Sequence, residues 1–154
     1  MIIPAGTTAS QRNAWPLAGS MPPMAALLSA PAAARGYVAN VLASWGMGGL
    51  SDVTELIVSE LVANAVNAST DRITRGPVYI AGRVAVVRVV LLSDRRRVVA
   101  EVYDQAPGVP VIREARSDAE SGRGLLVVAQ TARQWGWNPL VGQHGKVVWA
   151  ELLA

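Results

Sequence analysis

The chain has no cysteine and no phenylalanine, one histidine, and a single lysine at position 146. Without cysteine there can be no disulfide and no thiolate metal site. The lone His144 sits in a glycine turn with no second candidate ligand beside it, and reads as a surface residue. Arginine in place of lysine and the missing phenylalanine point to a GC-rich coding sequence, which says nothing about function. No run of about 18 apolar residues is present, so no transmembrane helix is expected. The first residues, MIIPAGTTASQRNAWP, lack the basic start and apolar core of a signal peptide, and a cytoplasmic protein is expected. Neither GxxxxGK(S/T) nor GxGxxG occurs, so neither a P-loop nor a Rossmann site is supported.

What remains is a chain of 154 residues, 51% hydrophobic and only 16% charged, enough for one domain with a sizeable core. The net charge of +3 comes almost wholly from scattered arginines. Their one cluster, Arg95-Arg96-Arg97, falls between two valine-rich runs where a hairpin turn belongs. A solvated turn accounts for it better than a nucleic-acid patch, and no direct nucleic-acid partner is expected.

Residues 1–25 are rich in proline, glycine, serine and alanine without a sustained period. They read as an irregular N-terminal segment, with Ala14 to Leu17 as a local edge strand, before a domain spanning 26–154. Pro31 suits a first helical turn, and Ala32 to Trp45 reads as a helix ended by Gly46, Gly48 and Gly49. Ser51 or Asp52 is placed to cap a second helix, with Glu55 near its first turn. After a polar loop from Thr70 to Gly76, Pro77 to Ala81 suggests a short strand. Val84 to Leu92 and Val98 to Tyr103 read as a hairpin. Ala85, Val87, Val89 and Leu91 share one face of the first strand; Val98, Ala100 and Val102 share a face of the second. Asp104 continues that face, so a carboxylate ends a strand pointing toward the core. Gln105 to Ser121 reads as a mobile, charged loop. Gly122-Arg123-Gly124 opens a helix from Leu125 to Gln134, and turns at Asn138-Pro139 and Gln143 to Gly145 lead to a last strand, Lys146 to Leu152. Grouped elements of this kind predict an α+β fold, a two-layer sandwich of a mainly antiparallel sheet with helices on one face. The five tryptophans, Trp15, Trp45, Trp135, Trp137 and Trp149, sit at element ends as packing anchors.

One stretch breaks the binary pattern. Read at 100° per residue, Glu55 to Ser69 puts Val53, Leu56, Ile57 and Leu61 on one stripe, with Val62 and Val66 opposite. Glu60 and Asn64 fall inside the stripe, one turn apart on the same face. Buried polar groups are costly unless something polar meets them. Either the two bond each other within a helix pack, or they mark a site.

Taken in order, ELVANA, the strand end VYDQAPG, a charged loop with SGRGL, and GKVVWAEL resemble the four nucleotide-binding boxes of the GHKL family: gyrase, heat-shock chaperone, histidine-kinase and mismatch-repair ATPases. Within it, the chain is most similar to small anti-sigma-factor serine/threonine kinases and related actinobacterial ATP-binding regulators. The resemblance runs from about Ala32 to Leu152. It implies the Bergerat-type ATP-binding fold, with ATP and Mg²⁺ as cofactors. Asn64 matches the Mg²⁺ ligand, and Glu60 the acidic residue proposed as general base. Asp104 matches the aspartate that accepts from the adenine amino group, and Gly108 a glycine where the loop passes the base. The lid corresponds to Val109 to Ser121, and Gly122, Arg123, Gly124 and Leu125 form the box beside the phosphates. Gly145 and Lys146 open the last box, near the adenine. The implied partners are an anti-sigma-factor antagonist, a sigma factor, or both, and a homodimer through the first helix.

Three departures qualify the match. Ala106 stands where the first glycine of an Asp-x-Gly-x-Gly box belongs, Val147 where a threonine hydroxyl is common, and Glu120 where kinase-type relatives carry an arginine. Arg123 either substitutes for that arginine or is simply solvated. ATP binding is therefore better supported than kinase activity, and two functions stay open: a kinase that phosphorylates or sequesters a partner in transcriptional control, and a nucleotide-gated binding module without catalysis.

Overall fold

The computed structural model describes residues 15–112 and 123–154. In chain order the elements are β1 (Leu17–Ser20), β2 (Met24–Ala25), α1 (Ala30–Ser44), a 3-10 turn at Gly48–Leu50, α2 (Ser51–Ala68), β3 (Tyr79–Ile80), β4 (Arg83–Val84), β5 (Val86–Ser93), β6 (Arg97–Asp104), α3 (Gly124–Thr131), β7 (Gln134–Pro139) and β8 (Lys146–Leu153). The main sheet has the order β1-β5-β6-β8-β7, with β2 also on β5 and every pairing antiparallel; β3 and β4 form a separate hairpin. This is the expected α+β, two-layer arrangement.

Alternation along the three central strands makes one face continuously apolar. Val89, Val102 and Val148 lie side by side in register, as do Leu91, Ala100 and Ala150, and all belong to the main core. Against this face lies α2, with α1 and α3 packed on α2. Burial of Ile57, Val58, Leu61, Val62, Ala65 and Val66 means α2 is covered on both sides, as its sequence suggests. The stripe needs one correction, because Leu56 is 42% exposed, while Val58, on nearly the opposite side of the helix, is fully buried. The other sheet face carries a smaller cluster of Val90, Leu92 and Val99, under Trp15, Tyr103 and Trp149. Trp45, Trp135 and Trp137 pack on the main core instead. Among the described residues no helix is long and apolar enough to cross a membrane.

Several boundaries differ from the sequence expectation for identifiable reasons. The C-terminal helix stops at Thr131, and Gln134–Pro139 is a strand rather than a turn. Trp135 and Trp137 alternate about the buried Gly136 and pair with Ala150 and Val148, while Pro139 is tolerated at the end of an edge strand. Within the N-terminal segment, β1 and β2 pair with β5 through backbone, which needs no side-chain period; residues 1–14 lie outside the described part. The second helix starts without a side-chain cap, because the 3-10 turn runs straight into it; the Ser51 hydroxyl donates instead to Glu55 at 2.7 Å. The arginine turn is structured by Asp94, whose Oδ1 accepts from the N–H groups of Arg96 and Arg97, each at 3.0 Å.

The burial pattern makes a direct prediction. Ile57→Ala should cost roughly 2–5 kcal/mol in urea denaturation, the usual range for emptying a packed site. Leu56→Ala, one residue earlier and half outside the core, should change stability by no more than about 0.5 kcal/mol.

Candidate functional site

Strand register brings Asp104 and Lys146 together. Asp104 follows Val98, Ala100 and Val102 on the inner face of β6, and Lys146 precedes Val148, Ala150 and Leu152 on the inner face of β8. The two are direct register partners, and Lys146 Nζ donates to Asp104 Oδ1 at 2.9 Å with side-chain exposures of 8% and 2%. The same Oδ1 accepts the N–H of Ala106 at 2.9 Å, and Nζ reaches the Ala106 carbonyl at 3.4 Å. Gly145, at φ +114°, makes this junction possible: a Cβ there would run into the Asp104 carbonyl and lie 2.9 Å from Gln105 Cα. Ala106 has no positive φ, so the side chain standing where relatives carry glycine is accommodated without backbone strain.

Facing the pair from the helix layer is Asn64. One turn before it lies Glu60, and α3 begins against both. A Cβ on Gly124 would sit 2.6 Å from Glu60 Oε2 and 3.3 and 3.4 Å from Asn64 Nδ2 and Oδ1, so any side chain there would push the Glu60 carboxylate aside. The Asn64 Nδ2 is buried and has no hydrogen-bond partner among the described residues. Such an orphaned amide costs about 1–3 kcal/mol unless a ligand completes it. Because the amide can rotate by half a turn, it offers either a donor or an acceptor at that point.

Between Asn64 and the ion pair runs a cleft of about 530 Å³, within the usual range of about 300–1,000 Å³ for small-molecule sites. Leu61, Ala65, Leu125 and Val148 provide apolar wall; Pro107, Val109, Pro110 and Val111 border it from the loop after β6. Four of the residues singled out in the sequence, Asn64, Asp104, Leu125 and Lys146, therefore line a single space. Glu60 and Gly124 adjoin it through Asn64 without lining it. Gly108 is exposed and turns the loop at φ +94°, between two residues that do line the cleft. Arg123 is exposed at the N-cap of α3. Gly122, Glu120 and the greater part of the lid lie outside the described residues.

The structure corrects one inference about the last box. Strand alternation sends Val147, paired with Tyr103 and Asn138, to the outer face of the sheet. A hydroxyl at that position would not reach the cleft. The residue facing inward is Lys146.

A second group was missed. Thr70, Asp71, Arg72 and Arg75, in what the sequence presented only as a polar loop, line the cleft beyond the end of α2, with Asn67 and Ala68. Asp71 shapes that loop, its Oδ1 accepting the N–H groups of Thr74 at 2.7 Å and Ile73 at 2.9 Å. These bonds hold its carboxyl below the ordinary range. The available signal was position: two arginines within one short loop directly after the helix bearing Asn64.

A family model for the histidine kinase-like ATPase domain matches residues 24–152. The chain belongs to that family. This histidine kinase-like ATPase domain thus covers both layers of the sandwich and all the cleft residues described above, and the family makes it an ATP-binding protein. No curated protein matches the chain.

Charge where the domain's cleft meets the sheet is set by burial. Desolvation raises the Asp104 pKa, while the Lys146 ammonium and the Ala106 N–H hold the rise back. The folded chain then binds that proton more tightly than the unfolded one. Asp104 accordingly favours folding most at pH values below its ordinary pKa, and this contribution is lost as pH rises through the raised value. A carbon-detected NMR titration of the Asp104 carboxyl should give a midpoint above the ordinary value of about 3.9. Lys146→Met should move it higher still, and a lower midpoint in that variant would contradict the ion pair.

Proposed function

We propose that this domain is an ATP- and Mg²⁺-dependent regulator of the anti-sigma-factor serine/threonine kinase type, acting in the cytoplasm on a protein partner in transcriptional control. The observation that carries the reading is the placement of Asn64, Asp104 and Lys146 on one cleft, with the first turn of α3 at Asn64. Asp104 would bind the adenine amino group, and the orphaned amide of Asn64 would hold the metal through its oxygen. Bound Mg²⁺ would supply positive charge to the phosphates and take few protein ligands, as it usually does. The opening N–H groups of α3, which have no intrahelical partners, would face phosphate oxygens, an arrangement favoured at helix N-termini.

In the kinase form of this reading the γ-phosphoryl group passes to a serine or threonine hydroxyl of an anti-sigma-factor antagonist. The new O–P bond forms as the bond to the β-phosphate oxygen breaks, and Glu60 takes the hydroxyl proton. A second reading, nucleotide-gated binding without transfer, is favoured by one observation. The Glu60 carboxylate lies against Gly124 rather than on the cleft wall.

Calorimetric titration with ADP and a non-hydrolysable ATP analogue, with and without Mg²⁺, tests nucleotide binding. Asp104→Ala should weaken it about tenfold or more in either condition, the worth of a hydrogen bond to a charged group. Asn64→Ala should abolish the gain that Mg²⁺ gives the wild type. Labelled ATP and candidate antagonist proteins then separate the two readings. A kinase should lose about 10²–10⁴-fold in transfer on Glu60→Gln with ATP binding kept. A binding module should transfer no label while its partner binding still responds to nucleotide.

A further inference from the structure

The ion pair on the cleft has capacity to spare. An ammonium carries three donors; Lys146 uses one on Asp104 Oδ1 and a longer one, at 3.4 Å, on the Ala106 carbonyl. Asp104 takes both its hydrogen bonds, from Lys146 and from Ala106, on Oδ1, and none on Oδ2 among the described residues. Both side chains line the cleft. Side by side, in register across β6 and β8, they present one remaining acceptor and one remaining donor. Leu61, Leu125 and Val148 form apolar wall nearby, as a flat ring would need.

This pattern complements the edge of adenine, where the 6-amino donor is next to the N1 acceptor. Guanine has an oxo group, an N1–H and a 2-amino group along the same edge. Its oxo group would oppose the Asp104 carboxylate, and its third polar group would exceed what the pair provides. Resting on the nucleotide-binding reading above, we infer that Lys146 is a base-reading residue that donates a hydrogen bond to N1 of adenine while Asp104 Oδ2 accepts from the 6-amino group. Lys146 thus does two things: it neutralises the buried carboxylate and reads the adjacent atom of the base. Its place on the inward-facing position of β8, with Val147 turned outward, leaves it the residue of that box that can do so.

Binding of ADP, 1-deaza-ADP, 7-deaza-ADP and GDP to the full chain, measured with Mg²⁺ on wild type and Lys146→Met, tests the inference. In 1-deaza-ADP a C–H replaces N1, so the lysine donor meets no acceptor. Wild type should bind it about tenfold more weakly than ADP, whereas 7-deaza-ADP, altered on the opposite edge, should bind like ADP. GDP should bind more weakly than ADP by at least that factor. In Lys146→Met the ratio of ADP to 1-deaza-ADP should fall close to one. If that variant does not fold, the wild-type ratios decide alone. Equal wild-type binding of ADP and 1-deaza-ADP, an equal loss with 7-deaza-ADP, or GDP binding as tight as ADP would overturn the role of Lys146 and leave nucleotide binding standing. Absence of ADP binding to wild type would instead overturn the nucleotide reading, and this inference with it.

Discussion

The buried contact between Asp104 and Lys146 constrains everything around it. Removing two charges from water costs several kcal/mol for each ion, and mutual attraction offsets this only where geometry is good and further hydrogen bonds are made. Here the Ala106 backbone supplies those bonds from both its N–H and its carbonyl. The contact also depends on register. A slip of β8 by one residue would bring Val147 inward and carry the ammonium to the other face. The close approach at Gly145 and the apolar matches further along the strands, Val102 with Val148 and Ala100 with Ala150, hold the pairing that the charges need.

At the opposite end the constraint comes from the helix layer. Because α2 packs on the sheet and against both α1 and α3, its polar pair cannot turn to solvent without losing the core contacts of Ile57, Leu61 and Val62. The start of α3 lies on that pair, at a residue with no Cβ. The cleft therefore has two chemically different ends. One is a charged, two-point edge on the sheet, and the other an amide beside the first turn of α3. A purine nucleotide is itself divided in this way, with a flat, edge-polar base and an anionic tail. The loop carrying Arg72 and Arg75 adds positive charge along the wall between α2 and the outside.

Much of the fold was legible because its signals are local and periodic. Alternating valines and alanines announced β5, β6 and β8, and the 3.6-residue stripe announced α2. Asn64 and Asp104 stood out because each violates the pattern of its own element, and such violations are expected at functional or strained places. The strand β7 was hidden because Trp-Gly-Trp followed by Asn-Pro carries turn chemistry, while its pairing energy comes from a strand further along the chain. Leu56 was assigned to the core because periodicity defines a face, but not how far the neighbouring layer extends over it. The arginine loop was hidden for a similar reason, since nothing in Thr70 to Gly76 reveals what stands across from it.

By itself the sequence determined the layer architecture, the family resemblance and the polar side chains that look inward, since these follow from period, order and residue chemistry within single elements. Only the tertiary structure decided that Asp104 meets Lys146, that position 147 is turned away from the cleft, and that Glu60 rests on Gly124 rather than on the cavity wall. Those facts depend on the register between strands and on the distance between layers. Both are set by contacts among residues far apart in the chain, so no local pattern encodes them.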